Sequence, residues 1–375
     1  MKKCPSIILQ RVIPHYRRAF FEAVNERYGW RVVVAENPPP ETFLNVLDPK
    51  DLSFADTFPM RFSKDGESCY LNTSALIATF NPPAILCEFS MRMQSSYSLP
   101  FARRFGSLER LAFWTQGWSS HRPFRSFADY VSHFGRLPLF AGADHILTYS
   151  EEGALWVRRH LKHSKVSALS NTIDNTEIRA ALLANVLPEV REPLSFLSVG
   201  RLTLDKSYDR LISIFKMIVQ TNPGAKLTII GDGPDRERLV ALSGDQLGKS
   251  IFMLGALHNE EDLAPYFLGA DLFLLAGAAG LSINHSLNYG LPVVAFPRSR
   301  SGPFHHPEIE YLIHGRTGWL AEDYTEEAFI RAVFSASSHF KDKTTREAIL
   351  DFAENKISLD AMLDNFGRFV ELLWD

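Results

Sequence analysis

Short apolar runs alternate with amphipathic stretches along most of this chain. Ser6–Leu9 is an apolar run of strand length, and Gln10–Tyr16 after it is a loop holding Pro14. Arg17–Tyr28 carries Phe20, Phe21, Val24 and Tyr28 at helical spacing, and Arg31–Ala35 is a second run. Strand, helix and strand at this spacing form a βαβ unit, which feeds a parallel sheet through right-handed crossovers. Glu36–Leu52, with Pro38, Pro39 and Pro40 in a row, reads as an exposed excursion. Ala75–Phe80 and Ala84–Cys87 read as further strands around Pro82 and Pro83. Leu111–Trp114, His145–Tyr149 and Val166–Leu169 continue the series, with Glu151–Leu161 as a helix.

The second half repeats the alternation. Leu194–Val199, Lys226–Ile230, Ile251–Leu254, Leu272–Leu275 and Pro292–Phe296 read as strands. Tyr208–Thr221, Asp235–Ser243, Glu260–Leu268 and Ser282–Tyr289 read as helices between them, the last with Ser282 as its N-cap and Gly290 past its end. A last α/β pair falls in Glu308–Leu320, and Glu326–Ser335 and Lys341–Leu373 are helical. Pro188–Pro193 is a charged, proline-bounded connector. The pattern predicts two tandem doubly wound α/β domains, residues 1–190 and 191–358, with a ligand cleft between them at the carboxyl ends of the strands. The final helix, within 359–375, is expected to cross back and complete the first domain.

Composition narrows the function without choosing it. The chain has 375 residues, 46% apolar and 22% charged, with a formal net charge of −3, which gives nucleic-acid binding no global support. Cys4, Cys69 and Cys87 form no metal-type cluster, and an odd, sparse count points to a reducing cytoplasm. Ile7–Gln10 is too short for a signal-peptide core, and no run of 18 apolar residues occurs.

Candidate chemistry falls at strand ends. Ala270–Pro292 combines a strand, the small-residue loop Gly277–Gly280 and a helix start, the makings of a phosphate cradle. Gly200 and Arg201 end the Leu194–Val199 strand, and Lys206 follows. An arginine fork and a lysine point charge suit a diphosphate and its departure as a leaving group. Gly231-Asp232-Gly233-Pro234 reads as a tight turn. In the first half, strand-end positions offer His15, Tyr16 and Arg17, and Gln116-Gly117-Trp118 with His121 beyond. Tyr97–Phe140 interleaves eleven aromatics with six arginines against two acids. That pattern suits an anionic lipid surface or a lipid-diphosphate acceptor, and equally a core strand with arginine-rich loops.

Taken in order, Phe196–Lys206, Leu227–Pro234, Phe252–Gly255, Tyr266–Leu275, Gly280–Ala295 and His314–Leu320 resemble the donor domain of retaining GT-B-fold glycosyltransferases of family 4. The likeness is good over roughly 194–322, while the first half is similar only in layout and in Asn171-Thr172-Ile173-Asp174. It implies a GT-B fold and transfer of a sugar, with retention, from a UDP- or GDP-sugar to a saccharide or lipid-linked saccharide, in surface-polysaccharide assembly. It implies no metal and no cofactor beyond the nucleotide sugar. Arg201 and Lys206 would hold the diphosphate, Gly200, Gly280, Leu281 and Ser282 would line it, and Leu257 would flank the base. His15, Arg17, Gln116 and His121 would meet the acceptor. The location implied is cytoplasmic, with the inner membrane face as a peripheral partner. The chain departs from the family at Gly277 and His285, where the usual glutamate pair, one contacting the donor sugar and one the ribose, is missing; His285 is expected to join Arg201 and Lys206 in the catalytic set, hydrogen-bonding a ribose or a phosphate. Two other readings stay open: a non-catalytic nucleotide-sugar-binding or scaffold protein, and a nucleotide-sugar epimerase.

Overall fold

Two units organise the chain in the computed structural model, which describes residues 4–38, 46–118, 127–162, 165–184, 194–299, 302–340 and 343–375. Among these, the first unit takes the residues up to Asp174 and Leu359–Asp375, and the second takes Asn175–Ser358.

In the first unit, β1 (Ile7–Leu9), β2 (Arg31–Ala35) and β3 (Ala55–Phe58) run one way from the centre of a parallel sheet. A small antiparallel ribbon, β4 (Arg61–Phe62) and β5 (Cys69–Tyr70), follows. The sheet then resumes on the other side of β1 with β6 (Ala84–Glu88), β7 (Arg110–Thr115), β8 (His145–Thr148) and β9 (Lys165–Ala168), giving the order β3-β2-β1-β6-β7-β8-β9. Helices α1 (Arg18–Tyr28), α2 (Thr73–Phe80), α3 (Ser95–Arg104), α4 (Phe127–Phe134), α5 (Arg136–Phe140) and α6 (Glu151–His160) fill the connections. Helices on both faces leave the central strands no exposed side, so Ile7, Ile8 and Leu9 are all fully buried and the strand reads as an unbroken apolar run.

Thr73–Phe80 is a helix, contrary to the strand expected at Ala75–Phe80. Asn72 caps it, its side chain accepting from the Ala75 N–H at 3.0 Å. A six-residue apolar run cannot by itself tell a buried strand from a helical turn, and the cap decides.

The second unit opens with α7 (Thr176–Ala184), which packs on α10 (Glu260–Gly269), and Asn175 donates to the Asn288 side chain at 3.0 Å. These contacts attach a helix lying ahead of the proline-bounded connector to the second unit. The connector itself lies outside the described residues. Six parallel strands follow: β10 (Ser195–Val199), β11 (Lys226–Ile230), β12 (Ile251–Met253), β13 (Leu272–Leu275), β14 (Val293–Ala295) and β15 (Gly318–Leu320). Their order is β12-β11-β10-β13-β14-β15, with Phe196 paired to Leu227 on one side and Leu272 on the other. Helices α8 (Tyr208–Thr221), α9 (Arg236–Ser243), α11 (Ser282–Asn288), α12 (Glu326–His339) and α13 (Lys343–Ile357) cover it.

Within Glu308–Leu320 the structure has a 3-10 turn, Pro307–Tyr311, ahead of β15 rather than an α-helix. The helical tail breaks at Ser358, and α14 (Leu359–Trp374) lies in the first unit. There Met362, Leu363, Phe366, Phe369 and Leu373 join Phe20, Phe21, Val24, Trp30 and Trp114 in one core. No helix among the described residues is long and apolar enough to cross a membrane.

Candidate functional site

In the second sheet the chain leaves β10 towards β11 on one side and returns to β13 on the other. Where strand order reverses, the loops beyond two neighbouring strands part and leave a crevice. The crevice is present there, a cavity of about 140 Å³. Ser198, Val199 and Gly200 from the end of β10 line it, with Leu275 and Ala276 from the end of β13. Lys206, Tyr208, Gly280, Leu281 and Ser282 complete the wall. Five residues picked out by the sequence alone thus meet in one pocket: Gly200, Lys206, Gly280, Leu281 and Ser282.

Backbone contacts fix the walls. A Cβ on Gly231 would lie 1.9 Å from the Gly200 carbonyl oxygen, and one on Gly233 would lie 2.4 Å from that of Leu202. Leu202 N–H donates to the Asp232 carbonyl at 2.9 Å. The Gly-Asp-Gly-Pro turn therefore exists to let two strand-end loops lie against one another.

The small-residue loop after β13 is clamped from two directions. Ala278 N–H donates to the Asp205 carbonyl at 2.8 Å, and Lys206 Nζ donates to the Ala278 carbonyl at 2.7 Å. Ala279 N–H donates to His305 Nδ1 at 3.1 Å, and His306 N–H donates to the Ala279 carbonyl at 3.0 Å. Both backbone groups of Ala278 and of Ala279 are consumed. The N–H groups of Gly280, Leu281 and Ser282 have no acceptor among the described residues. The open N–H donors of the loop are thus at Gly280–Ser282, one step later than the glycine-alanine run suggests. Ser282 is the first helical residue, and Leu281 occupies the N-cap position with no side-chain cap.

Burial holds the Lys206 ammonium below its ordinary value; Asp205 and Glu308 pull against that and Arg201 adds to it. Arg201 is exposed on the same loop. Ser207, just after Lys206, sits at φ +48°, a left-handed conformation uncommon outside glycine and a mark of local strain at the site. His305 is 2% exposed, and burial pushes its pKa down to about 4. Accepting from Ala279 N–H at Nδ1 while donating from Nε2 to the Phe296 carbonyl at 3.0 Å requires the neutral ring. His306 Cδ2 lies 3.7 Å from where a Gly280 Cβ would be, so this imidazole stands beside the pocket.

His285 meets Glu260 of α10, with Nε2 3.0 Å from the carboxylate. Leu257, in the loop between β12 and α10, is half-buried. Gly277 leaves no space for a side chain, because a Cβ would lie 2.2 Å from the Lys206 carbonyl carbon and 2.5 Å from the Asp205 oxygen.

The first sheet has its own reversal, between β1 and β6. There Glu88, the last residue of β6, accepts from Arg11 three times: from N at 3.3 Å, Nε at 3.2 Å and Nη2 at 2.7 Å. This charge holds the Arg11 guanidinium above its ordinary value. Neither residue stands out in the sequence. The available signal is a first charge after an apolar run on each strand, which carries information only once strand order is known.

The acceptor candidates differ in exposure. His15 is exposed in the turn before α1. Arg17 is turned inward, 3% exposed, donating to Asn171 Oδ1 and at 3.4 Å to Met362 Sδ, with its guanidinium 4.9 Å from the Trp114 ring centroid. Such burial makes it an anchor of the first core rather than an open ligand contact. Gln116 is half-buried, its carbonyl pressed against Gly153 of α6. His121 lies outside the described residues, as do Arg122, Phe124 and Arg125.

Of the other arginines in Tyr97–Phe140, Arg103 pairs with Asp144 at 2.7 and 2.9 Å, Arg110 Nε donates to the Leu373 carbonyl, and Arg136 is buried. Arg104 is exposed between Phe101 and Phe105. Phe105 and Phe127 are 79% and 80% exposed.

Residues 183–349 match the family model described as glycosyl transferases group 1. A curated relative, an uncharacterized glycosyltransferase of Haemophilus influenzae, is 24% identical over 211 residues, 54% of each chain. The chain spans about half or less of the length of the curated relatives it matches. Among solved structures, the lipopolysaccharide outer core galactosyltransferase WaaB superposes with a TM-score of 0.67 over 97% of this chain and 98% of its own, at 16% identity. Anabaena HepE in complex with UDP and glucose superposes at 0.63 over 98% and 99%, at 12% identity. The fold is GT-B. The two doubly wound sheets are its Rossmann-like domains.

Proposed function

We propose that this chain is a glycosyltransferase that takes a sugar from a nucleoside diphosphate and passes it, with retention, to a saccharide or lipid-linked saccharide in surface-polysaccharide assembly. The observation that carries the reading is the pocket at the β10–β13 crevice. It joins three acceptor-less backbone N–H groups to the Lys206 ammonium, with Arg201 on the adjoining loop. Fixed donors and cations of this kind stabilise negative charge as it builds on a departing diphosphate, with no protein nucleophile and no metal. The match to the group 1 family over the same residues supports it, as does the fold shared with Anabaena HepE, which was solved in complex with UDP.

Thermal-shift titration with UDP, GDP and their sugar conjugates tests the donor assignment. At least one is expected to raise Tm by several degrees, and Lys206→Ala is expected to remove most of the shift. Absence of any shift across the panel would end the reading.

A second reading, a nucleotide-sugar-binding protein without turnover, is favoured by Gly277, where the backbone of Lys206 occupies the space a side chain would need. Prolonged incubation with the best-binding donor decides it, since a transferase releases free nucleoside diphosphate even with water as acceptor.

The acceptor's source bears on the exposed aromatics. We infer a peripheral contact with anionic lipid through Phe101, Phe105, Phe127 and Tyr130, with Arg104 among them. Co-sedimentation with phosphatidylglycerol vesicles, but not phosphatidylcholine vesicles, is expected, and loss of pelleting in a Phe101→Ser, Phe105→Ser variant. Equal behaviour on both vesicle types removes the contact.

A further inference from the structure

A groove of about 630 Å³ in the first unit is lined by none of the candidate site residues above. One wall is the β4–β5 ribbon, whose strands pair Arg61 with Tyr70 and Phe62 with Cys69. Successive residues of a strand point to opposite faces, so the two pairs take opposite sides. Cys69 is fully buried and Phe62 packs on the same core, which leaves Arg61 and Tyr70 side by side on the outer face. Gln94 is tied to the ribbon by its own N–H, which donates to the Cys69 carbonyl at 2.9 Å. The other wall is the start of α2. There Asn72 commits its Oδ1 to the Ala75 N–H, and the Thr73 and Ser98 hydroxyls bond each other and join α2 to α3. Met60 and Leu71, both buried, back the groove.

The groups these walls leave open define a ligand. Tyr70 is 50% exposed, with no ring, cation or hydrogen-bond partner among the described residues. The polar ends of Arg61, Ser74 and Gln94 and the amide nitrogen of Asn72 likewise have no partner among them. Arg61 is the one charged group among the described lining residues, too few for nucleic acid. A sugar packs its C–H face on an aromatic ring, and each of its hydroxyls both donates and accepts, as side-chain amides and hydroxyls do. A guanidinium adds a planar fork for a carboxylate or a phosphate. We propose that this groove binds a saccharide with an acidic substituent: its ring on Tyr70, its hydroxyls on Asn72, Ser74 and Gln94, its carboxylate or phosphate on Arg61. Arg11 and Glu88 of the β1–β6 reversal are not in its lining. On the transferase reading above, the groove holds sugars of a polysaccharide other than the one that reacts; the binding itself does not depend on that reading.

Saturation-transfer NMR titration of the whole chain, without nucleotide, would compare methyl glucuronide and glucose 6-phosphate with methyl glucoside, acetate and inorganic phosphate. At least one acidic sugar is expected to bind about ten-fold more tightly than methyl glucoside, the scale of a hydrogen bond to a charged group. Which of the two binds separates a carboxylate from a phosphate. Tyr70→Ala is expected to abolish binding of acidic and neutral sugar alike, and Arg61→Gln to bring the acidic sugar to the level of the neutral one. Gln94→Ala, on the neighbouring loop, carries the test if the ribbon variants fail to fold, with a loss of about three-fold or more expected. Acetate or phosphate binding as well as the acidic sugars would mean an anion site only and would overturn the inference. So would no binding of either acidic sugar, or binding unchanged in the folded variants. None of these results touches the donor reading, because Tyr70→Ala should leave the thermal shift with nucleotides in place.

Discussion

Gly277 shows how one residue sets both packing and chemistry. Asp205 and Lys206 cross it so closely that any side chain must displace them, and Lys206 is the pocket's cation. Gly277→Ala is expected to cost about 1–3 kcal/mol by overpacking and to weaken nucleoside diphosphate binding along with Lys206. Gly269→Ala, at an open site with nothing within 4 Å, serves as the control and should leave both unchanged in chemical unfolding and titration. Two buried histidines add a pH signature. His145, 1% exposed and donating to or accepting from Ser167 at 2.8 Å, and His305 are each pushed by burial to about 4 from 6.5. A depressed pKa means the unfolded chain binds the proton first, so each contribution is whole above pH 6.5 and is lost as pH falls towards 4. The difference amounts to at most about 3 kcal/mol per ring. Asp144 and Asp235 are held below 3.8, so carboxylates lose their share only at lower pH. Urea unfolding between pH 7 and 4.5 should show the decline, and His305→Asn should flatten it for the second unit.

At the scale of elements, helices here are held by their ends as much as by their faces. Arg346 of α13, 4% exposed, donates from Nη1 to the Leu268 carbonyl at 3.3 Å and from Nη2 to that of Ala270, where α10 ends. A cation there satisfies orphan carbonyls and the helix dipole together. Arg346→Ala is expected to cost the second unit about 2–4 kcal/mol, because buried acceptors lose a charged donor. Differential scanning calorimetry would register the loss, with nucleotide binding retained below the lowered Tm. The same reasoning explains what could be read in advance. Tyr208–Thr221, Lys226–Ile230 and Leu272–Leu275 are legible to the residue because apolar periodicity and flanking Gly, Asn and Pro coincide. Ala55–Phe58, at an edge of the sheet, escapes such a reading, since Ala-Asp-Thr-Phe has neither an apolar run nor strict alternation. The pocket is legible because its residues cluster in sequence at two strand ends. Glu260 and Glu88 are not, because each gains meaning only from a partner 25 or 77 residues away.

At the scale of the whole chain, the last seventeen residues belong to the first unit, and this return crossing is a structural dependency rather than a trailing end. Met362, Leu363, Phe366, Phe369 and Leu373 are each at most 2% exposed. Burying a large apolar side chain is worth about 1.5–3 kcal/mol, so the five together contribute roughly 10 kcal/mol, comparable to the net stability of an ordinary domain. Arg17 adds its contact to Met362, Tyr28 Oη donates to the Leu363 carbonyl at 3.2 Å, and Arg110 Nε donates to that of Leu373 at 3.1 Å. Removing 359–375 is therefore expected to leave the first unit without a stable core, read as lost near-ultraviolet dichroism and aggregation. A point change makes the same argument without shortening the chain. Gly367 faces α1 so closely that a Cβ would lie 2.5 Å from Tyr28 Oη. Gly367→Leu must push α14 off α1, and it is expected to lower the calorimetric transition of the first unit. The nucleoside diphosphate binding proposed for the β10–β13 pocket, whose lining lies in the second unit, should survive. Loss of binding together with the first unit's transition would mean that the second unit does not hold its pocket by itself.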